Sequence, residues 1–248
     1  MGIIFAFLYL PIVILIIFSF NAAKSRGVWA GFSLKWYAMM LKDEKMISSV
    51  VITFACGILA AVISTVIGTI SAIGLYNAKK KTRSILLSLS YIPMLNAEIV
   101  TGISLMMMYT MFNMRLGFVT LLLSHITFCI PYVILTVLPK VKQFEYSHYI
   151  AALDLGATPA YAFRKIVLPD LMPGIVAGFL LAFTFSIDDF IISFMTTGNG
   201  INNLSITIYT MTKRGINPEI NAVSTIVFAI ILMLLIAMNI KSSKKKGE

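Results

Sequence analysis

Apolar residues run along this chain in long blocks, without the 3.6-residue stripe of a half-buried helix or the alternation of a strand. The blocks fall at roughly 3–20, 47–75, 85–112, 117–138, 174–195 and 220–240. Each is long enough to cross ~30 Å of hydrocarbon. Backbone groups in lipid must be satisfied within their own segment, so runs of this length predict helices. The expected fold is all-α, a polytopic membrane protein with about six transmembrane helices. No internal repeat, low-complexity run or second soluble region breaks the series, and residues 1–248 read as a single transmembrane domain.

Composition agrees with the pattern. Of the 248 residues, 59% are hydrophobic and 12% charged, and the mean hydropathy is +0.92. Such a chain cannot cover a water-facing surface with polar groups. The first block has no basic segment before it, and FSFNAAKS after it is a poor cleavage site, so it is read as a membrane helix rather than a signal peptide.

The net charge of +10 would suit nucleic acid, but its distribution argues for topology instead. With the N-terminus inside, the inner segments hold Lys79, Lys80, Lys81, Arg83, Lys140, Lys142, Arg164, Lys165, Lys241, Lys244, Lys245 and Lys246, twelve of the twenty basic residues. The outer segments hold Lys24, Arg26, Lys35, Lys42, Lys45, Arg115, Lys213 and Arg214. This bias places both termini in the cytoplasm. Cys56 and Cys129 lie inside apolar blocks without metal-ligand spacing and read as small buried hydrophobes.

Two connections exceed what a hairpin needs: an outer one from Asn21 to Met46 and an inner one from Pro139 to Pro173. The outer connection carries Trp29, Phe32, Trp36 and Tyr37 among basic residues, which fits either an interfacial cap on the bundle or a substrate contact. In the inner one, IAALDLGATPAYAFRKIVLP reads as helix, glycine turn, helix. Gly156 ends the first helix, Thr158 caps the second, Pro159 suits its first turn, and Pro169 and Pro173 are expected to stop it.

Three ionisable residues lie within apolar blocks: Glu98, Asp188 and Asp189. Each costs roughly 2.5–3.5 kcal/mol on insertion scales, so a functional or paired role is the default. In continuous spans starting near Ile85 and Gly174, Glu98 and Asp188 would both lie about 20 Å deep at 1.5 Å per residue. Asp188 and Asp189 would point about 100° apart on one helix, so only one would face a cavity squarely. No Lys or Arg shares these blocks, and an acidic cavity for a cationic solute follows. The plainer reading puts the aspartates in water at a helix end and Glu98 in a hydrogen bond.

His125 and His148 lack paired-ligand spacing and are read as satisfied core or interfacial histidines, so no metal is assigned. Gly174 and Gly178 form GxxxG and are read as close helix packing. Nothing matches GxxxxGK[ST], so the chain has no phosphate-binding loop of its own.

The inner connection has a more specific likeness. Ala151 and Ala152, three residues, Gly156, nine residues, then Ile166, one residue, Leu168 and Pro169 resemble the EAA loop of ABC importer permeases. One departure is Ile150, where that loop usually has an acid. More narrowly, SHITFCIPYV (Ser124–Val133) and SIDDFIIS (Ser186–Ser193) resemble permease subunits of polyamine importers. The resemblance implies a type I importer permease architecture. It makes residues 139–173 the coupling loop, with Ala151, Ala152, Leu153, Gly156, Ala157, Ile166, Leu168 and Pro169 docking on an ATPase. It also implies Asp188, Asp189, Glu98, Trp36 and Ser186 as substrate contacts.

The implied partners are a second permease subunit, two ATP-binding cassette subunits that hold ATP and Mg, and an extracytoplasmic polyamine-binding protein, at a bacterial inner membrane. This chain then has no cofactor and is no enzyme. The alternatives are an ABC permease for another cation or small organic solute, a proton-coupled carrier working alone, and an intramembrane enzyme, for which no catalytic set is found.

Overall fold

The computed structural model describes residues 2–24, 28–213 and 218–244, and every long element in them is helical. Arg26, Arg214, Lys245 and Lys246, counted above for orientation, lie outside the described residues. Among the described residues, three helices are long and apolar enough to cross a bilayer: Glu44–Asn77, Phe118–Gln143 and the run Pro159–Asp188. A bent pair, Lys80–Leu95 with Glu98–Met111, passes the same test when taken together, and Ile4–Ser19 and Glu219–Met233 are shorter apolar helices. By internal contacts the chain forms two compact units, Met1–Ile52 with Asn202–Glu248, and Thr53–Ile201.

The first unit contains α1 (Gly2–Ser19), α2 (Lys35–Met40), the start of α3 (Glu44–Asn77), and, from the C-terminal part of the chain, Leu204–Lys213 and Glu219–Lys244. Asp43 caps α3 by accepting from the amides of Lys45 and Met46 at 2.9 and 3.3 Å. Met40, Met46, Leu204 and Val223 form its buried apolar cluster. The connection from Asn21 to Met46 is tied down at its start: Asn21 Nδ2 donates to the Val28 carbonyl, its Oδ1 accepts from Ala30 N, and Phe20 lies against the rings of Phe32 and Tyr37.

The second unit holds the rest of α3, then α4 (Lys80–Leu95), α5 (Glu98–Met111), α6 (Phe118–Gln143), α7 (Tyr146–Asp154), α8 (Pro159–Ala162), α9 (Leu168–Asp188) and α10 (Ile191–Thr196). The main packing is α9 on α6, with α10 against both α5 and α6. Close approach depends on missing side chains. A Cβ on Gly178 would stand 3.2 Å from Val133 Cγ1, and one on Gly68 of α3 would stand 2.7 Å from both Val133 Cβ and Cγ1. Val133 of α6 therefore fills the space left by glycines on two other helices. The GxxxG pair packs within the chain, as expected, since a Cβ on Gly174 would meet Lys140 at 2.8 Å.

Two expectations of continuity fail. The block 85–112 is two helices bent by 105° at Asn96–Ala97, and the block 174–195 breaks after Asp188. Hydropathy stays high across both breaks because only one or two residues leave the helical conformation at each. The depth computed for Glu98 along an unbroken helix therefore does not apply.

The connection from Pro139 to Pro173 folds largely as its residues dictate. Gly156 has φ +86°, and after α7 the Ala157 amide donates to the Ala152 carbonyl while Gly156 N donates to Leu153 O. These two bonds form the Schellman closure that a left-handed residue permits. Thr158 Oγ1 accepts from Tyr161 N, and Pro159 opens α8. Pro169 and Pro173, however, do not stop the helix. A π-helical turn at Phe163–Val167 leads straight into α9, with Leu168 N bonded to the Phe163 carbonyl five residues back. This wider turn comes just where Pro169 has no N–H to offer, so the chain passes the proline without ending the helix.

Candidate functional site

Both breaks open onto one cleft, about 370 Å³ in volume, inside the second unit. That size falls in the ~300–1,000 Å³ range of small-ligand sites. Its walls come from the end of α4 (Pro93, Met94, Asn96), the start of α5 (Glu98, Thr101), α6 (Phe128, Tyr132) and the α9–α10 junction (Phe185, Asp188, Asp189, Phe190, Ile191, Ile192). Three carboxylates and four aromatic rings share this wall, and no Lys or Arg is among the lining residues. Tyr132 and Phe185 are in ring contact at 4.5 Å. The ends of α4 and α9 bring the partial negative charge of helix C-termini, and the starts of α5 and α10 the partial positive charge of N-termini, so the net negative character comes from the carboxylates.

The three acids have different settings. Glu98 is exposed in the first turn of α5, where a carboxylate also suits the positive end of a helix. Asp188 is exposed at the last position of α9. Asp189 is 8% exposed and extended (φ −63°, ψ 128°). Its Oδ1 accepts from Ile192 N at 3.2 Å, and its Oδ2 accepts from Ser193 N at 2.7 Å and Ser193 Oγ at 2.8 Å. Asp189 thus caps α10. Because the helix stops between them, the two aspartates are not neighbours on one helical face, and both border the cleft.

Ser186 and Trp36 sit elsewhere. Ser186 is 2% exposed and 2.5 Å from His125 Nδ1. Trp36 belongs to the first unit, is 3% exposed, and donates from Nε1 to the Asn21 carbonyl at 2.6 Å. Of the residues expected to dock, Ala151, Ala152 and Leu153 lie on α7, Gly156 and Ala157 in its closing turn, Ile166 in the π turn, and Leu168 and Pro169 at the start of α9. Next to Gly156, Leu155 is 89% exposed.

Sequence reasoning did not connect His125 with the aspartates. The histidine is buried, as expected, yet it touches the break: Nε2 lies 3.0 Å from Ser193 Oγ and 3.5 Å from Asp189 Oδ2. Its partners are 61 and 68 residues away in the chain, beyond the reach of any spacing rule. The break itself had a local signal, an aspartate followed by an apolar run, which is a helix-start pattern.

Stacked apolar helices, broken where they meet an acidic, aromatic-lined cleft, are those of a polytopic membrane protein. Residues 64–241 match the family described as binding-protein-dependent transport system inner membrane component, and the chain belongs to it. It is 37% identical to the spermidine/putrescine transport system permease protein PotC of Escherichia coli, over 99% of this chain and 93% of that one. It is 35% identical to the putrescine transport system permease protein PotI of the same organism, over 90% and 82%. Among solved structures it resembles a bacterial ABC transporter involved in the import of the acidic polysaccharide alginate, with a TM-score of 0.74 at 15% identity, covering 98% of this chain and 92% of that one. That likeness is one of fold.

Proposed function

We propose that this chain is a permease subunit of an ATP-driven polyamine importer, and that the acidic cleft is where it meets its cargo. The observation that carries the reading is the joint placement of Glu98, Asp188 and Asp189 with Phe128, Tyr132, Phe185 and Phe190 on one wall that lacks a basic side chain. Polyamines are flexible alkyl chains with several ammonium groups. Carboxylates neutralise the ammonium groups, ring faces attract them, and the apolar rims cover the methylenes. The PotC and PotI relatives, named for spermidine and putrescine, support this choice of cation. Fold alone does not, because the same fold serves a transporter of acidic alginate.

The chain works by alternating access. Together with a second permease subunit it encloses the path, and two ATP-binding cassette subunits, which hold ATP and Mg, dock on residues 139–173. Exposed Leu155 and the Gly156 turn offer these partners a small apolar feature at the end of α7. ATP-driven closure moves the docked helices, and α9, continuous with the π turn, carries that motion toward the cleft. An extracytoplasmic binding protein delivers the polyamine, both termini face the cytoplasm, and the membrane is the bacterial inner membrane. Trp36 and Ser186 contribute to transport along with the acids.

The test is ATP-dependent uptake of labelled spermidine by vesicles containing the co-purified complex. Unlabelled spermidine and putrescine are expected to compete, and Asp188→Asn to impair uptake with the complex intact. Competition by an unrelated control cation alone, or uptake by this chain without ATP, refutes the reading.

A further inference from the structure

His125 spans the break that presents the aspartates. It lies on α6 and is 1% exposed, and its two ring nitrogens reach opposite sides of the junction: Ser186 in the last turn of α9 and Ser193 in α10. The hydrogen-bond directions follow from the carboxylate. Asp189 can only accept, so the Ser193 hydroxyl donates to it at 2.8 Å. The Ser193 oxygen then accepts from His125 Nε2–H, and Nδ1 pairs with the Ser186 hydroxyl. One chain of bonds thus runs from Ser186 through His125 and Ser193 to Asp189. Its ends flank Asp188.

A residue that merely filled the core would need no such arrangement. The ring of Phe128 meets the imidazole edge-on at 5.5 Å, and a leucine at 125 would fill much of that space too. What leucine cannot do is hold α9 and α10 at a set angle against α6. Without the tie, the break between Asp188 and Ile191 has more freedom, and so does the direction of the Asp188 carboxylate.

We infer that His125 is a positioning residue for the cation site: it touches no solute, and it sets the direction in which Asp188 is presented. The inference rests on the cleft being that site. Ser186, buried and bonded to the same imidazole, acts through this bridge rather than on the solute.

The experiment uses the complete complex in vesicles, with spermidine uptake measured per assembled complex. In His125→Leu the half-saturating concentration is expected to rise about three- to tenfold, the scale of one or two lost hydrogen bonds. The maximal rate should move far less. His125→Gln, which keeps a donor and an acceptor, should recover most of the loss. In an Asp188→Asn background His125→Leu should add nothing, because the two act through one group.

An unchanged half-saturation in His125→Leu, full additivity in the double variant, or no recovery with Gln overturns the inference. If His125→Leu yields no assembled complex, Ser193→Ala decides: it cuts one arm of the bridge, should raise the half-saturation, and overturns the inference if it does not. Wild-type behaviour of Asp188→Asn alone refutes the cation site itself, which is a separate failure.

Discussion

Replacing Asp189 by alanine should cost the protein stability, whereas the same change at Asp188 should cost it only transport. Asp189 satisfies two amides at the start of α10, those of Ile192 and Ser193, and both residues are buried, so these amides lose their acceptor with little access to water. Losing this cap leaves those two donors unmatched at ~1–3 kcal/mol each, so a total on the order of 3 kcal/mol is expected. The Ser193 hydroxyl, 3.4 Å from the Asp189 carbonyl, can turn to that oxygen and recover a little. Asp188 is exposed, and an exposed substitution away from such features usually changes stability by less than ~0.5 kcal/mol. The protein supplies its own probe, because its two cysteines, Cys56 and Cys129, are both buried and react with a thiol-specific dye only on unfolding. For a chain of this size ~3 kcal/mol corresponds to a midpoint lowered by about 6–12 °C. Equal midpoints for the two variants would refute the division of labour between the aspartates.

Two further outcomes follow from the backbone. Gly68→Ala should destabilise by about 1–3 kcal/mol in the same thiol assay, because its Cβ would stand 2.7 Å from both Cβ and Cγ1 of Val133, and Val133→Ala should restore little, since its Cβ stays in place. Gly156→Ala meets open space but must hold φ +86°, at a cost of about 1 kcal/mol; Gly156→Asn should be milder, and uptake per complex should fall in the order Gly, Asn, Ala if that turn docks the ATPase.

How far the residues disclosed this molecule depended on the range over which each signal acts. Membrane class needed only composition. The Gly156 turn was legible because a left-handed position between a helix and a Thr-Pro start leaves few alternatives, and the Schellman bonds appear there as expected. Pro169 misled because the rule that proline ends a helix presumes α-helical bonding, and the π turn before it removes that presumption. The break at Asn96–Ala97 was hidden by averaging: YIPMLNAEIV is apolar enough to pass as one span, although Pro93 and Asn96 are both present. Ser186 was named only through resemblance to other permeases, since a serine in an apolar run carries no charge or spacing signal. That His125 is buried and satisfied is legible from its apolar surroundings, but its significance lies in what it joins, and only the tertiary structure shows that.

The two kinds of break explain why the acids can be where they are. A carboxylate in an unbroken apolar helix pays for desolvation with nothing in return. Ending the helix changes both sides of that account: the start of α10 exposes amides that need an acceptor, and Asp189 is that acceptor. The same break frees Asp188 from the helical face and turns it, exposed, to the cleft that α4 and α5 open at their own bend. Helix termini thus stabilise one acid and aim the other. On this logic a relative carrying a cargo of opposite charge can keep the broken helices and exchange only the side chains at the ends, which is how one fold can accompany both an acidic polysaccharide and, as proposed for this chain, a polyamine.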